Sequence, residues 1–209
     1  MLKIWGRNNS VNVQKVMWAL GELKLEHTRL DAGGAFGKTK EAAYLAMNPN
    51  ALVPTLEEED GFILWESNSI VRYLAAKYDK NGLLEPKDLR ARALAGQWMD
   101  WQLSVANPAI TPVFWNLIRT PPEKRDHAVI ETQSKKTIEA MGMLDERLGK
   151  SPYVAGDAFS YGDIPVGCVC YRFVNLFKDR PAMPNLDRWY AAISSRQAFK
   201  DHVGCVPLT

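Results

Sequence analysis

Strand-like segments occur only in the first 66 residues of this 209-residue chain, and beyond about residue 86 every pattern is helical. A chain divided in this way cannot build one long alternating sheet; it predicts a small α/β unit followed by an all-helical one. LKIW at 2–5 is a short β-prone run, and HTRLD at 27–31 alternates as a half-buried strand does. Between them Val13, Val16, Met17, Leu20 and Leu23 fall on one helical face. A loop holding Gly33, Gly34 and Gly37 leads to the short helical stretch KEAAYLAM. VPTLE at 53–57 and FILWE at 62–66 flank Asp60-Gly61, a hairpin signal, and a helix over about 68–78 follows. The order β-α-β-α-β-β-α makes the first strand pair parallel and the last antiparallel.

KNGLLEPKD at 80–88 has the composition of a linker, so 1–79, 80–88 and 89–209 are the expected divisions. A helical pattern then runs to Arg119, with Pro108 and Pro112 expected to kink it. Thr120, Pro121 and Glu123 have the spacing of a capping box with proline at the first helical position. They predict a helix from there to about Leu148, ended by Gly149. Ser160 and Asp163 form a second box, stapled by Phe159 and Ile164, opening a helix with Ile164, Cys168 and Tyr171 on one side. A last helix covers about 185–195.

Lys and Arg total 26 against 24 Asp and Glu, a net charge of +2, which gives no general reason to bind nucleic acid or an anionic membrane. No apolar run approaches the ~20 residues of a bilayer span, and Met1 leads straight into a strand without a secretory signal. A cytoplasmic protein is expected. Cys168, Cys170 and Cys205 make no disulfide framework, and with His27, His127 and His202 scattered, no metal site is expected.

Five features in this order make the chain resemble a cytosolic glutathione transferase of the bacterial, theta-like, serine-type kind, over essentially its whole length. They are Ser10-Val11-Asn12 with Lys15-Val16; Asn48-Pro49-Asn50 with Val53-Pro54; Trp65-Glu66-Ser67-Asn68-Ser69-Ile70; the linker; and Ser160 with Asp163-Ile164. The resemblance implies a thioredoxin-like domain followed by a helical bundle, a homodimer, and glutathione as co-substrate beside a small hydrophobic electrophile.

A free thiol has a pKa of about 8.5, and lowering it by about two units needs about 2.7 kcal/mol of preference for the anion. A helix N-terminus offers about 0.3–1 kcal/mol and a hydrogen bond to a charged group about 1.5–3 kcal/mol. One hydroxyl at a helix start therefore suffices, and Ser10 stands at such a point, where Asn9 competes for the same cap. The resemblance gives Ser10 the catalytic role, with Asn12 assisting. It also implies a cis peptide before Pro54, with Val53 offering its backbone to the cysteinyl part of the tripeptide; Ala51 stands where the family often has Gly. Glu66 and Ser67 begin a helix whose N–H groups suit a carboxylate while Glu66 takes an ammonium, as on the γ-glutamyl end. Asn50 and Lys38 are candidates for the glycyl carboxylate. Phe114, Trp115, Ile118 and Arg119 are the expected electrophile pocket, while Trp98 and Trp101 are expected in the core.

Two other classes compete with this reading. AGGAFGKT at 32–39 is one residue short of a phosphate-binding loop, but no succession of parallel strand–helix units follows it. A non-enzymatic dimeric scaffold has no need of Ser10, Val53-Pro54 and Glu66-Ser67 together. A glutathione-dependent peroxidase or disulfide reductase is a related enzymatic alternative, although no cysteine lies near the first helix.

Overall fold

The computed structural model describes all 209 residues. Four short strands, β1 (Leu2–Trp5), β2 (His27–Leu30), β3 (Thr55–Glu57) and β4 (Ile63–Trp65), form one sheet in the order β2-β1-β3-β4. β1 runs parallel to β2, and β1–β3 and β3–β4 are antiparallel, with Ile4 facing Arg29 on one side and Leu56 on the other. Helices α1 (Val11–Glu22), α2 (Ala42–Met47) and α3 (Ser67–Tyr78) complete the β-α-β-α-β-β-α order of a thioredoxin-like fold. The third and fourth strands are shorter than their apolar runs because Val53-Pro54 precedes pairing and Phe62 and Glu66 belong to the turns.

The stretch after α3 is tightly organised. Asp79 accepts from the backbone N–H groups of Leu83, Leu84 and Glu85 at 2.6–2.9 Å, and Leu84 is fully buried. Helices α4 (Leu89–Trp101), α5 (Asn107–Phe114), α6 (His127–Leu148), α7 (Asp163–Leu176), α8 (Pro184–Ser194) and the short α9 (Gln197–Phe199) follow. None is long and apolar enough to cross a membrane.

Between α4 and α5 the backbone stays helical but widens. Gln102–Ala106 is a π-turn in which the N–H of Asn107 donates to the carbonyl of Gln102, just ahead of Pro108. A second π-turn, Trp115–Arg119, follows Pro112. The wider turns accommodate carbonyls that the prolines cannot serve.

The helix expected from Thr120 starts later. Pro122 forces Pro121 out of the helical region, to φ −53°, ψ 142°, because the residue before a proline avoids α. Thr120 instead closes the preceding turn, its hydroxyl donating to the Trp115 carbonyl at 3.0 Å. The true N-cap of α6 is Asp126, whose carboxylate accepts from the N–H of Val129 at 3.0 Å.

A single apolar cluster spans both halves, with α1 sandwiched between α3 and α7. Gly167 lets Trp18 pack directly on α7, since a Cβ there would lie 2.8 Å from the indole. Glu22 at the end of α1 accepts two hydrogen bonds at 2.7 Å from Arg196, whose guanidinium stacks 4.0 Å from the Phe159 ring. Cys168 and Cys170 are buried in α7, Cys205 is exposed, and all three are free thiols. Trp98 joins the core and packs against the half-buried Trp101 at 4.8 Å.

Candidate active site

Ser10 occupies the N-cap position of α1, with φ −87° and ψ 122°, and its carbonyl accepts the first helical bond from Gln14. Its side chain makes no capping bond and has no other partner in the chain, although the residue is buried. Asn9, the competing cap, is turned away and donates to the hydroxyl of Thr209 at 2.7 Å. Asn12 follows in the first turn of α1.

A small concavity is lined by Asn12, Asn48, Asn50, Leu52, Val53, Pro54, Glu66 and Ser67. It brings six of the residues read from the sequence to one place: Asn12, Asn50, Val53, Pro54, Glu66 and Ser67. The loop from 48 to 55 is fixed from beneath. Buried Asn48 donates to the Leu52 carbonyl and the Thr55 hydroxyl and accepts from the backbone and side-chain amides of Asn50. Tyr44 adds a 2.7 Å bond to the same Leu52 carbonyl. The Val53-Pro54 peptide is cis, and neither the N–H nor the C=O of Val53 bonds within the chain. An open edge of that kind can pair with an extended peptide.

Glu66 sits at the N-cap position of α3 in a conformation rare for a residue with a side chain, φ 72° and ψ 109°. Ala51 at φ 56° and Lys38 at φ 66° share that left-handed region. Strain of this sort persists where the surroundings hold the backbone in place, often at ligand sites. Lys38 is exposed and lies outside the concavity.

Three polar residues lie beneath the site; Lys15 and Asn68 stand in the motifs that carry the resemblance, with no role read for them there, and Gln102 stands in none. Lys15 is completely buried, and its ammonium donates to Gln102 Oε1 at 2.9 Å, Asn68 Oδ1 at 3.3 Å and Ser67 Oγ at 3.4 Å. Burial pulls its pKa down to about 8. On α1 it shares its face with the buried Val11, Trp18 and Ala19, one turn away on either side. Gln102 and Asn68 became its partners only through the fold. Together the ammonium and the first N–H groups of α3 create positive potential at Ser67, where a carboxylate ligand fits.

The expected electrophile pocket is split by depth. Trp115 and Ile118 are exposed, whereas Phe114 is buried at 1% exposure and lies beneath the guanidinium groups of Arg119 and Arg172. Arg119 also stacks 4.8 Å from Trp115. The π-turn at Gln102–Ala106 removes the regular register that a plain helix would give Trp101 and Trp115.

The residues at 32–39 do not form a phosphate loop. Gly34–Phe36 is a single 3-10 turn closed by Gly33 N–H donating to Gly37 at 2.8 Å, and the next helix begins only at Ala42.

The fold and the site thus define a thioredoxin-like domain with an unpaired backbone edge at Val53, joined to a helical bundle. The glutathione S-transferase N-terminal domain family matches residues 9–77, and the corresponding C-terminal domain family matches residues 128–192. The chain is 43% identical over 201 residues to glutathione S-transferase GstB of Escherichia coli, with 96% of each chain covered. It is 30% identical to glutathione S-transferase F13 of Arabidopsis thaliana over 95% of this chain and 93% of that one. A theta class glutathione S-transferase from Xanthomonas axonopodis pv. citri, solved with glutathione bound, superposes with a TM-score of 0.94 at 41% identity, covering 100% of this chain and 99% of that one. The chain belongs to the glutathione S-transferase family.

Proposed function

We propose that this chain conjugates glutathione, through its thiolate sulfur, to a small hydrophobic electrophile, with Ser10 donating a hydrogen bond to the thiolate. The observation that carries the reading is the uncommitted Ser10 hydroxyl at the start of α1. A bond from it to a thiolate contributes about 1.5–3 kcal/mol and the helix N-terminus a further 0.3–1, roughly the total that two pKa units require. The bound thiol gives its proton to solvent, the sulfur forms a bond to the electrophilic carbon, and the leaving group departs with the bonding pair. Proximity and fixed dipoles supply the acceleration.

In this reading Asn12 assists Ser10, and the free N–H and C=O of Val53 pair with the cysteinyl residue beside the cis Pro54. Ser67 and the start of α3 hold the γ-glutamyl carboxylate above Lys15, Glu66 takes the adjacent ammonium, and Asn50 and Lys38 attend the glycyl carboxylate. Phe114, Trp115, Ile118 and Arg119 shape the electrophile's side. Residues 1–79 bind the tripeptide, 80–88 link, and 89–209 receive the second substrate, in a cytoplasmic homodimer. Cys168 and Cys170 are buried in α7 and no cysteine stands at the start of α1, which supports a serine-type site over one working through a protein cysteine.

The test is retention on immobilised glutathione, followed by turnover of a halogenated aromatic and an organic peroxide. Conjugation should exceed peroxide reduction; the reverse order replaces the transferase by a peroxidase. Ser10→Ala should raise the pKa of the bound thiol and lower turnover about tenfold or more at near-unchanged glutathione affinity. A thiolate absorbance titration identical to wild type would remove Ser10 from the chemistry.

A further inference from the structure

Three guanidinium groups gather beside the start of α1, and the proposed chemistry uses at most one of them. Arg172, on α7, is 7% exposed, makes no hydrogen bond or ion pair with any protein group, and rests 4.0 Å above the Phe114 ring. Arg119 packs 5.1 Å from the same ring and donates to the Thr209 backbone oxygen at 2.9 and 3.1 Å. Arg7, half-buried three residues before Ser10, packs against the Gly33-Gly34 turn and also lacks an acceptor side chain. Ser10 N–H donates to the Arg7 carbonyl, and Asn9 binds the Thr209 that Arg119 holds, so the group adjoins the expected thiolate.

The cations depress one another. Burial first, and then Arg119 and Arg7, hold Arg172 down to about 10, and burial with Arg7 lowers Arg119. A buried arginine without an anion is costly, and its fork is shaped for a carboxylate. Trp115, half exposed and 4.8 Å from the Arg119 guanidinium, meanwhile offers flat apolar surface beside it.

We propose that the electrophile is amphiphilic: an aromatic or other flat apolar body against Trp115, with a carboxylate seated among Arg7, Arg119 and Arg172. This rests on the transferase reading and narrows its second substrate. The carboxylate takes no part in the bond changes; it positions the electrophilic carbon against the sulfur of glutathione.

The probes are 4-(bromomethyl)benzoate and 4-(bromomethyl)benzamide, nearly equal in shape and reactivity. In each, the sulfur–carbon bond forms as carbon–bromine breaks, and bromide leaves with the electron pair. Wild type should favour the carboxylate in kcat/KM by about tenfold or more. Arg172→Gln should cut that ratio at least about fivefold, and so should Arg7→Gln, which keeps the test alive if the buried variant fails to fold. Binding of the unreactive 4-methylbenzoate over 4-methylbenzamide to the glutathione-loaded protein should fall in parallel. Equal turnover of the two probes, or a ratio that neither variant moves, overturns the carboxylate seat and leaves the transferase intact. Variants that raise the glutathione KM equally with both probes assign the arginines to the tripeptide and likewise overturn it. Turnover of neither probe, with no preference for the benzoate in binding, overturns the carboxylate seat; the transferase reading falls with it only if the halogenated aromatic is also left unconjugated.

Discussion

Ser10 and Ser160 both stand where a buried helix begins, and the molecule uses them in opposite ways. At the start of α7 every polar group is occupied. Asp163 accepts from Ser160 N–H at 2.9 Å, Ser160 hydroxyl at 3.2 Å, Val154 N–H at 3.1 Å and Trp189 Nε1 at 2.9 Å. The Ser160 oxygen in turn accepts from Gly162 at 3.2 Å. At the start of α1 the Ser10 hydroxyl has no partner in the chain. A helix start that serves stability consumes its side chains; one that serves a ligand leaves them free.

The backbone repeats the contrast. All four non-glycine residues at positive φ, Lys24, Lys38, Ala51 and Glu66, lie before α3 begins, and three of them sit in segments expected to meet the tripeptide. The helical half carries none. Its irregularities are π-turns, which keep helical dihedrals and cost less than a strained φ.

The largest test of this contrast is Asp163→Ala. It leaves three buried N–H donors without acceptors, each worth about 1–3 kcal/mol. A stability loss of about 3 kcal/mol or more is expected, read as a Tm drop of roughly 6–12 °C. A drop under 2 °C would mean that the network around Asp163 holds nothing together.

Next comes Lys15, whose folded pKa of about 8 lies below the ordinary 10.5. A depressed lysine is penalised in the fold while charged. The unfolded chain binds more protons between about pH 8 and 10.5, so this group makes stability rise with pH across that window, by up to about 3 kcal/mol. Below pH 8 its contribution is flat. Lys15→Met should erase the rise, seen as the difference between the two proteins' chemical-denaturation curves from pH 7 to 10. Parallel curves over that range would show that the ammonium keeps its ordinary pKa.

How much of this could be read from sequence depends on distance along the chain. The order of elements and the Asp60-Gly61 hairpin are local patterns, and they appear in the structure as read. The Ser160–Asp163 box forms by half: Asp163 accepts from Ser160 N–H, but the Ser160 oxygen accepts from Gly162, and α7 begins only at Asp163. The Thr120 box was equally local but failed, because Pro122 fixed its neighbour's backbone before the cap could form. The ring of acceptors around Lys15 joins residues 52 to 87 positions apart, and the guanidinium group joins Arg7, Arg119 and Arg172. Neither has a sequence period. Six of the expected site residues did converge on one concavity, since they belong to three motifs that the sheet and two helix starts bring together. Ser10 and Lys38 do not line it; Ser10 is buried two residues before Asn12, and Lys38 is exposed on its loop.

A smaller effect separates the two serines directly. Ser160→Ala removes one donor and one acceptor from a filled network and should cost about 1 kcal/mol. Ser10→Ala breaks no bond in the free protein and should change stability by less than about 0.5 kcal/mol, whatever it does to turnover. Urea midpoints measured side by side give the answer. Equal losses would place Ser10 in a structural cap.

The smallest effect probes the strain itself. Ala51 holds φ 56° in the loop ahead of the cis Pro54, a position where a Cβ costs about 1–2 kcal/mol. Glycine removes that cost but gives the unfolded chain more freedom, worth about 0.4–1 kcal/mol against folding. Ala51→Gly should therefore raise stability by under about 1 kcal/mol, or about 1–3 °C in Tm. Ala51→Val, with a branched side chain at the same φ, should lower it by more than glycine raises it. Because Asn48 and Tyr44 hold this loop from below through the Leu52 carbonyl, the gain should come without loss of glutathione binding. A lower Tm for the glycine variant would show that the surroundings stabilise the alanine methyl by more than its φ costs, and the loop's strain would then be no mark of a ligand site.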